Sequence, residues 1–129
     1  MEKKTYTGGE IICREGQPGK EMYEILSGKV RVFKTINEEK IELNTLGQGD
    51  FLGEMSLLLG DSRSASAEAI DNTQLLVLGK DSLLKKIQQD PQFALNMINI
   101  MARRLARANE IIGRLEGARK SLEIMYGVK

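Results

Sequence analysis

The stretch GDFLGEMSLLLGDSRSASAEA, residues 49–69, sets the carboxylate of Glu54 and the guanidinium of Arg63 nine residues apart in a largely small and apolar run, with Gly53 and Gly60 as punctuation. If residues 53–58 form a short helix, its first N–H groups are unpaired and face an anion site, and Gly53 lets a ligand approach the backbone. Arg63 can then fork onto two oxygens of a phosphate with charge-assisted bonds. A carboxylate beside an anion is repelled unless it accepts a hydrogen bond, so Glu54 suits a hydroxyl held next to that phosphate. Together the two side chains make a reader of a sugar phosphate. The alternative is an ion pair between Glu54 and Arg63 that ties a loop to the body of the protein. Two residues alone do not decide between them. Ser64 can serve as a further phosphate donor or as an ordinary hydroxyl at a strand start, and Ala65 continues the run. Leu52, Met55 and Leu57 read as core, with Met55 also kept among the ligand-side candidates. Val32 and Leu43 are candidates for a pocket wall.

Composition limits what else the chain can do. Its 129 residues fit one domain, and 19 basic against 18 acidic side chains leave a net charge of +1. Such a balance gives no general attraction to nucleic acid or anionic membrane, so any phosphate must be bound locally by a few placed groups. Histidine is absent, which removes the usual catalytic dyads, His-based metal sites and histidine-ligated haem. Cys13 is the only cysteine. It forms no internal disulfide and no CxxC pair, which favours a reducing compartment. No signal-like segment and no apolar run of membrane-spanning length is present. The expectation is a cytoplasmic protein without catalytic residues, metal or cofactor.

The elements that must position the site change character near Asp81. Before it, short runs rich in Val, Ile, Leu and Thr alternate with turn residues at roughly 8- to 12-residue spacing, the pattern of an antiparallel sandwich or barrel. MYEILSGKVRVFKT reads as strand, Ser27-Gly28 turn and strand, and KIELNTLGQGD as the next. In SASAEA, Ala65, Ala67 and Ala69 alternate with Ser64, Ser66 and Glu68, and TQLLVLG supplies a last, more buried strand. Seven or eight strands are expected. From Asp81 the period turns helical: Asp81 or Ser82 can cap a helix through LLKKIQQ, and Asp90-Pro91 is a cap followed by the proline favoured at a first helical position.

From Pro91 to Tyr126 the sequence predicts one helix. Met101, Leu105, Ala108, Ile112, Leu115, Leu122 and Tyr126 fall at steps of three and four, interrupted where Arg119 lies on the stripe. Roughly 35 residues make about 50 Å of helix, against about 30 Å for a small domain. A projecting apolar stripe needs another chain, so a homodimer is expected; the plainer alternative is an amphipathic helix lying across its own domain. Arg103, Arg104, Arg107 and Arg114 make this helix basic, but Glu110 and Glu116 interleave with them, as on a solvated face or in interhelical ion pairs.

These motifs carry a resemblance. EGQPGKEMYEILSGKVRVF resembles the opening hairpin, FLGEMSLLLGDSRSASAEA the phosphate-binding cassette, and MARRLARANEIIGRL the start of the long dimer helix of the cyclic-nucleotide-binding domain family, found in catabolite-activator-type regulators of the Crp/Fnr kind, kinases and ion channels. The resemblance covers residues 5 to about 120. It implies a mainly β fold with flanking helices: a double-stranded β-helix, or jelly roll, over 1–90 and a long C-terminal helix over 91–126. It also implies that Glu54 takes the ribose 2′-hydroxyl and Arg63 the cyclic phosphate. Aligned through MARRL, the family's adenine-contacting Thr-Ser pair falls on Ala108-Asn109. An amide at Asn109 offers the donor and acceptor that match adenine N6 and N7. Cyclic AMP is therefore expected over cyclic GMP, with Ser64 neutral.

The chain closes on MYGVK without a second hydrophobic pattern of winged-helix size, so no DNA-reading domain and no direct nucleic-acid or membrane partner is expected. The leading expectation is a sensor that binds cyclic nucleotide and shifts a dimer that an unknown output partner reads. The alternatives are the sensor portion of a DNA-binding regulator, a degenerate dimerisation domain that binds nothing, and an enzyme of the cupin type, which the missing histidines disfavour.

Overall fold

In the computed structural model, which describes residues 1–127, the chain divides into two units, one from Met1 to Asp90 and one from Pro91 on. Val128 and Lys129, the last residues of the MYGVK stretch, lie outside the described residues. In the first unit the alternating runs form eight strands: β1 (Glu2–Tyr6), β2 (Ile11–Cys13), β3 (Met22–Ser27), β4 (Val30–Ile36), β5 (Glu39–Leu46), β6 (Phe51–Leu52), β7 (Ser66–Ala69) and β8 (Thr73–Leu78). A short helix, α1 (Glu54–Leu59), separates β6 from β7, and α2 (Lys80–Gln89) follows β8. The strands form two four-stranded antiparallel sheets, β1-β8-β3-β6 and β2-β7-β4-β5. Tyr23, Ile25, Leu52, Leu75 and Val77 of the first sheet share one buried cluster with Val30, Leu46 and Ala67 of the second. This is the jelly roll the resemblance implies, with its core between the sheets.

The Ser27-Gly28 turn does not close a hairpin. β3 pairs with β8 and β6, whereas β4 pairs with β5 and β7, so the turn carries the chain from one sheet to the other. Its backbone is spent on the β7–β8 connection: Ile70 N donates to Lys29 O at 2.9 Å, Thr73 Oγ1 donates to the same carbonyl at 3.1 Å, and Lys29 N donates to Asp71 Oδ1 at 3.0 Å. The two-residue hairpin lies further on, between β4 and β5, where Asn37 and Glu38 both have positive φ, 52° and 66°. That conformation belongs to the tight hairpin turns whose twist matches the flanking strands.

The alternation of faces expected in SASAEA holds from Ser66 on, but its polar face is buried. β7 starts at Ser66, and all four of its residues are buried. Ala67 and Ala69 face the core. Glu68, on the opposite face, accepts hydrogen bonds from Lys40 Nζ at 2.9 Å and Arg31 Nη1 at 3.1 Å, while Lys40 also lies 4.3 Å from the centre of the Phe33 ring. Ser66 Oγ accepts from Glu15 N at 2.9 Å. Partners, not water, satisfy the polar face of this strand.

The hydrogen bond from Lys40, then that from Arg31, hold the Glu68 carboxyl below its ordinary value against the opposing effect of burial. A folded-state pKa below the unfolded one gives stability that is complete above the ordinary carboxylate value and is lost as pH falls through the folded value. Glu68→Gln is therefore expected to lower Tm near pH 7 by roughly 4 °C, the equivalent of about 1 kcal/mol. The gap to wild type should close toward pH 3. Thermal melts across that range check it, and a gap unchanged at low pH would contradict it.

Neither Asp81 nor Ser82 caps α2. Its N-cap is Gly79, without a side-chain hydrogen bond, and Asp81 falls in the first turn, where its charge suits the helix dipole. Helix α3 (Pro91–Tyr126) is continuous for 36 residues, about 54 Å at 1.5 Å per residue. Phe93 and Met97 in its first turns are buried. Further along, Leu105, Ile112, Leu115 and Leu122 are exposed by 63%, 58%, 65% and 54%. Arg119, which interrupts the stripe, pairs within the helix with Glu116 at 2.8 Å and with Glu123. Arg114 pairs with Glu110 at 2.7 Å. Of the four arginines that make the helix basic, Arg114 is thus paired within its own helix.

Candidate functional site

The site is built where β6 runs out. β6 holds its place through β3: Ile25 N donates to Asp50 O at 2.8 Å and Gly49 N donates to Ile25 O at 2.9 Å. The chain then turns at Gly53, the N-cap of α1, whose φ of +83° lies in the left-handed region. Space demands glycine there as well, because a Cβ would stand 2.6 Å from Arg63 Nη1 and 3.0 Å from Glu21 O. α1 ends on Gly60, also left-handed, whose N–H returns to Ser56 O. The two glycines that bracket the motif in sequence are thus the two caps of its helix.

Arg63 is fixed by its own backbone. Its N–H donates to Gln17 O at 2.8 Å, and its carbonyl accepts from Gly16 N at 2.8 Å, so the residue is clamped against the β2–β3 loop. Its side chain is only 6% exposed. Nη1 donates to Glu21 O at 2.8 Å and to Gly53 O at 3.3 Å, and the guanidinium carbon lies 5.5 Å from the centre of the Tyr23 ring. A Cβ on Gly19 would come within 2.3 Å of that carbon. What holds Arg63 is therefore backbone carbonyl and an aromatic face, not the Glu54 carboxylate of the ion-pair alternative. Nε and Nη2 make no hydrogen bond among the described residues. A buried cation with two unspent donor nitrogens is suited to an anion that accepts both.

The surroundings feel this charge. Burial pushes the Tyr23 phenol and the Cys13 thiol up, and in each case the Arg63 guanidinium opposes the shift. Glu54 sits half-buried in the first turn of α1. Ser64 lies exposed in a bend, and Ala65 is half-buried, with its carbonyl 4.0 Å from Cys13 Sγ. Met55 is not core: it is exposed, as are Leu58 and Leu59, whereas Leu52 is core. Asn109 is exposed on α3, in the other unit. A groove of about 500 Å³ is lined by Gly19, Lys20, Ser56, Asp61, Ser62 and Lys80 among others, and by neither Glu54 nor Arg63. No group of three metal-ligating side chains occurs among the described residues, and no helix there is long and apolar enough to cross a membrane.

The structure thus brings Gly53 and Arg63 together with Glu54 adjoining, and it adds Gly19, Glu21 and Tyr23. These three were not singled out from the sequence. Gly19 was visible in the spaced glycines of EGQPGK; the Glu21 contribution is a backbone carbonyl, which residue type does not signal.

Comparisons with known proteins identify the family. The model of the cyclic nucleotide-binding domain matches residues 3–90. The chain is 39% identical over 110 residues to the cyclic AMP receptor protein of Thermus thermophilus, covering 84% of this chain and 51% of that protein. It is 31% identical over 102 residues to a CRP-like cAMP-activated global transcriptional regulator of Mycobacterium tuberculosis, covering 78% and 46%. Among solved structures, the catabolite activator protein of Thermus thermophilus superposes with a TM-score of 0.79 at 38% identity, over 89% of this chain and 55% of that one. The chain spans about half the length of these relatives. With the fold, the glycine-capped helix and the buried arginine all in place, this chain belongs to the cyclic nucleotide-binding domain family.

Proposed function

We propose that the protein is a sensor that binds a cyclic nucleotide, cyclic AMP in preference to cyclic GMP, and passes the binding event through a dimer formed along α3. The observation that carries the reading is the buried Arg63 guanidinium with Nε and Nη2 unspent, set between two positions where only glycine fits. A cyclic phosphate supplies two exocyclic oxygens to that fork, and Glu54, next after Gly53, accepts the neighbouring ribose 2′-hydroxyl. The remaining cassette positions have lesser roles: Gly53 gives the backbone approach, Ser64 and Ala65 border the phosphate, and Met55 flanks Glu54 without a polar part. No side chain here is asked to do chemistry on the ligand.

Base choice is assigned to Asn109, whose amide pairs a donor and an acceptor with adenine N7 and N6, whereas guanine presents two acceptors on that edge. The name of the Thermus thermophilus relative supports cyclic AMP as the ligand. Parallel calorimetric titrations with cyclic AMP and cyclic GMP test the reading, with tighter binding of cyclic AMP expected. Asn109→Ala should cost roughly 1 to 2 kcal/mol for cyclic AMP and little for cyclic GMP. Equal losses, or none, would remove Asn109 from the site.

The α3 seam of Met101, Leu105, Ala108, Ile112, Leu115 and Leu122 is assigned to a second copy of the chain. Ligand then shifts the population of dimer arrangements that an output partner reads.

A further inference from the structure

Neither Arg63 nor Glu54 lines the groove beside Gly19, so its lining is distinct from the side chains assigned to the cyclic phosphate and ribose. Its walls are the β2–β3 loop at Gly19 and Lys20, α1 with the 60–62 loop, and Lys80, the first residue of α2. Two of these walls are tied together. Arg63 N donates to Gln17 O and Gly16 N donates to Arg63 O, both at 2.8 Å, so the β2–β3 loop is fixed to the residue that follows Ser62. At about 500 Å³, with Pro18 and Leu57 as apolar lining, the groove has the size of a small-molecule site.

Its polar groups are unspent. A buried serine inside a helix ordinarily gives its hydroxyl to a carbonyl one turn back. Ser56, only 4% exposed, makes no side-chain hydrogen bond among the described residues, and Gly53 O one turn back already accepts from Leu57 N and Arg63 Nη1. Because no fully buried side-chain N or O among the described residues lacks a partner, Ser56 Oγ keeps contact with solvent, and the groove that Ser56 lines is where it does so. Lys20 and Lys80 form no ion pair among the described residues. The start of α2 adds a third contribution. Its N-cap, Gly79, has no side-chain cap bond, and the first bond of the helix runs from Leu83 N to Gly79 O, so the N–H groups of Lys80, Asp81 and Ser82 have no partner within the helix. Asp81 in the first turn offsets part of that positive end, and Asp61 is the one carboxylate on the lining.

We infer that this groove is a second ligand site, separate from Arg63, for a small phosphorylated sugar or polyol. Two ammonium groups and a helix N-terminus match a phosphate monoester, which carries close to two negative charges at neutral pH, better than a carboxylate with one. The Ser56 hydroxyl donates to a phosphate oxygen. Asp61 would repel a bare anion, and it accepts a hydrogen bond from a hydroxyl carried by the same ligand. The inference does not rest on the cyclic-nucleotide reading, since none of the groups it uses takes part in that site.

The test is titration of the full chain with glucose 6-phosphate, and with glucose as control, followed by backbone amide NMR. Wild type, Ser56→Ala and the double variant Lys20→Met with Lys80→Met are compared, with a thermal melt of each. Saturable shifts from glucose 6-phosphate, largest at Ser62 and Lys80 to Ser82, and none from glucose, are expected. The double lysine variant should bind roughly fivefold to tenfold more weakly. Ser56→Ala should lose roughly fivefold in affinity, the value of one hydrogen bond, yet melt no earlier than wild type, because the hydroxyl has no partner inside the protein to lose. An early melt of Ser56→Ala would show that hydroxyl already engaged and would overturn the inference. So would affinities within twofold of wild type in both variants, or no saturable shift in wild type. Largest shifts at Gly53, Glu54 and Ser64 would place the sugar phosphate on Arg63 and likewise overturn it. Failure of cyclic AMP to bind would overturn the cyclic-nucleotide reading and leave this test unaffected.

Discussion

Arg63→Leu is expected to abolish measurable binding of cyclic nucleotide while the jelly roll still folds. The guanidinium is almost fully buried, and two of its nitrogens are unspent, so a bound phosphate would be paired with a charge from which water has largely been removed. Truncating one partner of such a pair costs about 2 to 5 kcal/mol, roughly 30-fold to 1000-fold or more in affinity. The same substitution frees the carbonyls of Glu21 and Gly53 that Nη1 now satisfies. A stability loss of about 1 to 3 kcal/mol should accompany it. Arg63→Lys separates the two effects, because it keeps the charge but not the fork and should bind weakly rather than not at all. In the same site Glu54→Ala should lower the preference for a ribose over a 2′-deoxyribose ligand. Calorimetry with each variant, after circular dichroism has established the fold, reads these outcomes. Wild-type affinity in both Arg63→Leu and Glu54→Ala would remove the cassette from ligand binding.

Replacing Leu105 and Ile112 together with Glu should convert a parallel dimer through residues 97 to 126 into monomers. In a single chain these two side chains are more than half exposed, and Leu115 and Leu122 continue their row. Covering a large aliphatic side chain is worth about 1.5 to 3 kcal/mol, so losing two and setting four glutamates in the seam of a dimer removes most of what would hold it. Arg119 would not rescue the variant, since it is already engaged by Glu116 and Glu123 of its own helix. Sedimentation velocity at micromolar concentration distinguishes the outcomes. A wild type that is already monomeric there would refute the seam, and a variant that stays dimeric would move the interface elsewhere.

Legibility in the sequence followed the range of each interaction. α1 was readable because its two caps are glycines in the motif itself, and α3 because apolar steps of three and four persist through Leu122 and Tyr126. The last strand, β8, announced itself as a continuous apolar run. Partnership between distant strands left no such mark: Ser27-Gly28 looks locally like a hairpin turn, and only the pairing of β3 with β8 and of β4 with β7 makes it a crossing. Glu68 alternates as a solvent-facing residue should, yet it is buried because Lys40 and Arg31, 28 and 37 residues away, close over it. Within the site, Glu54 and Arg63 stood out because charges in an apolar run require a reason. The carbonyls of Glu21 and Gly53 that position the guanidinium did not, since every residue has one.

The measurement that bears most directly on the central claim is calorimetric titration of cyclic AMP into the wild-type protein, run beside Arg63→Leu under the same conditions. Saturable binding of one cyclic AMP per chain by wild type, with no resolvable binding by the variant, is the result predicted. No heat of binding from a folded wild type, or equal affinity in the two proteins, would contradict the claim that this jelly roll holds a cyclic nucleotide through Arg63.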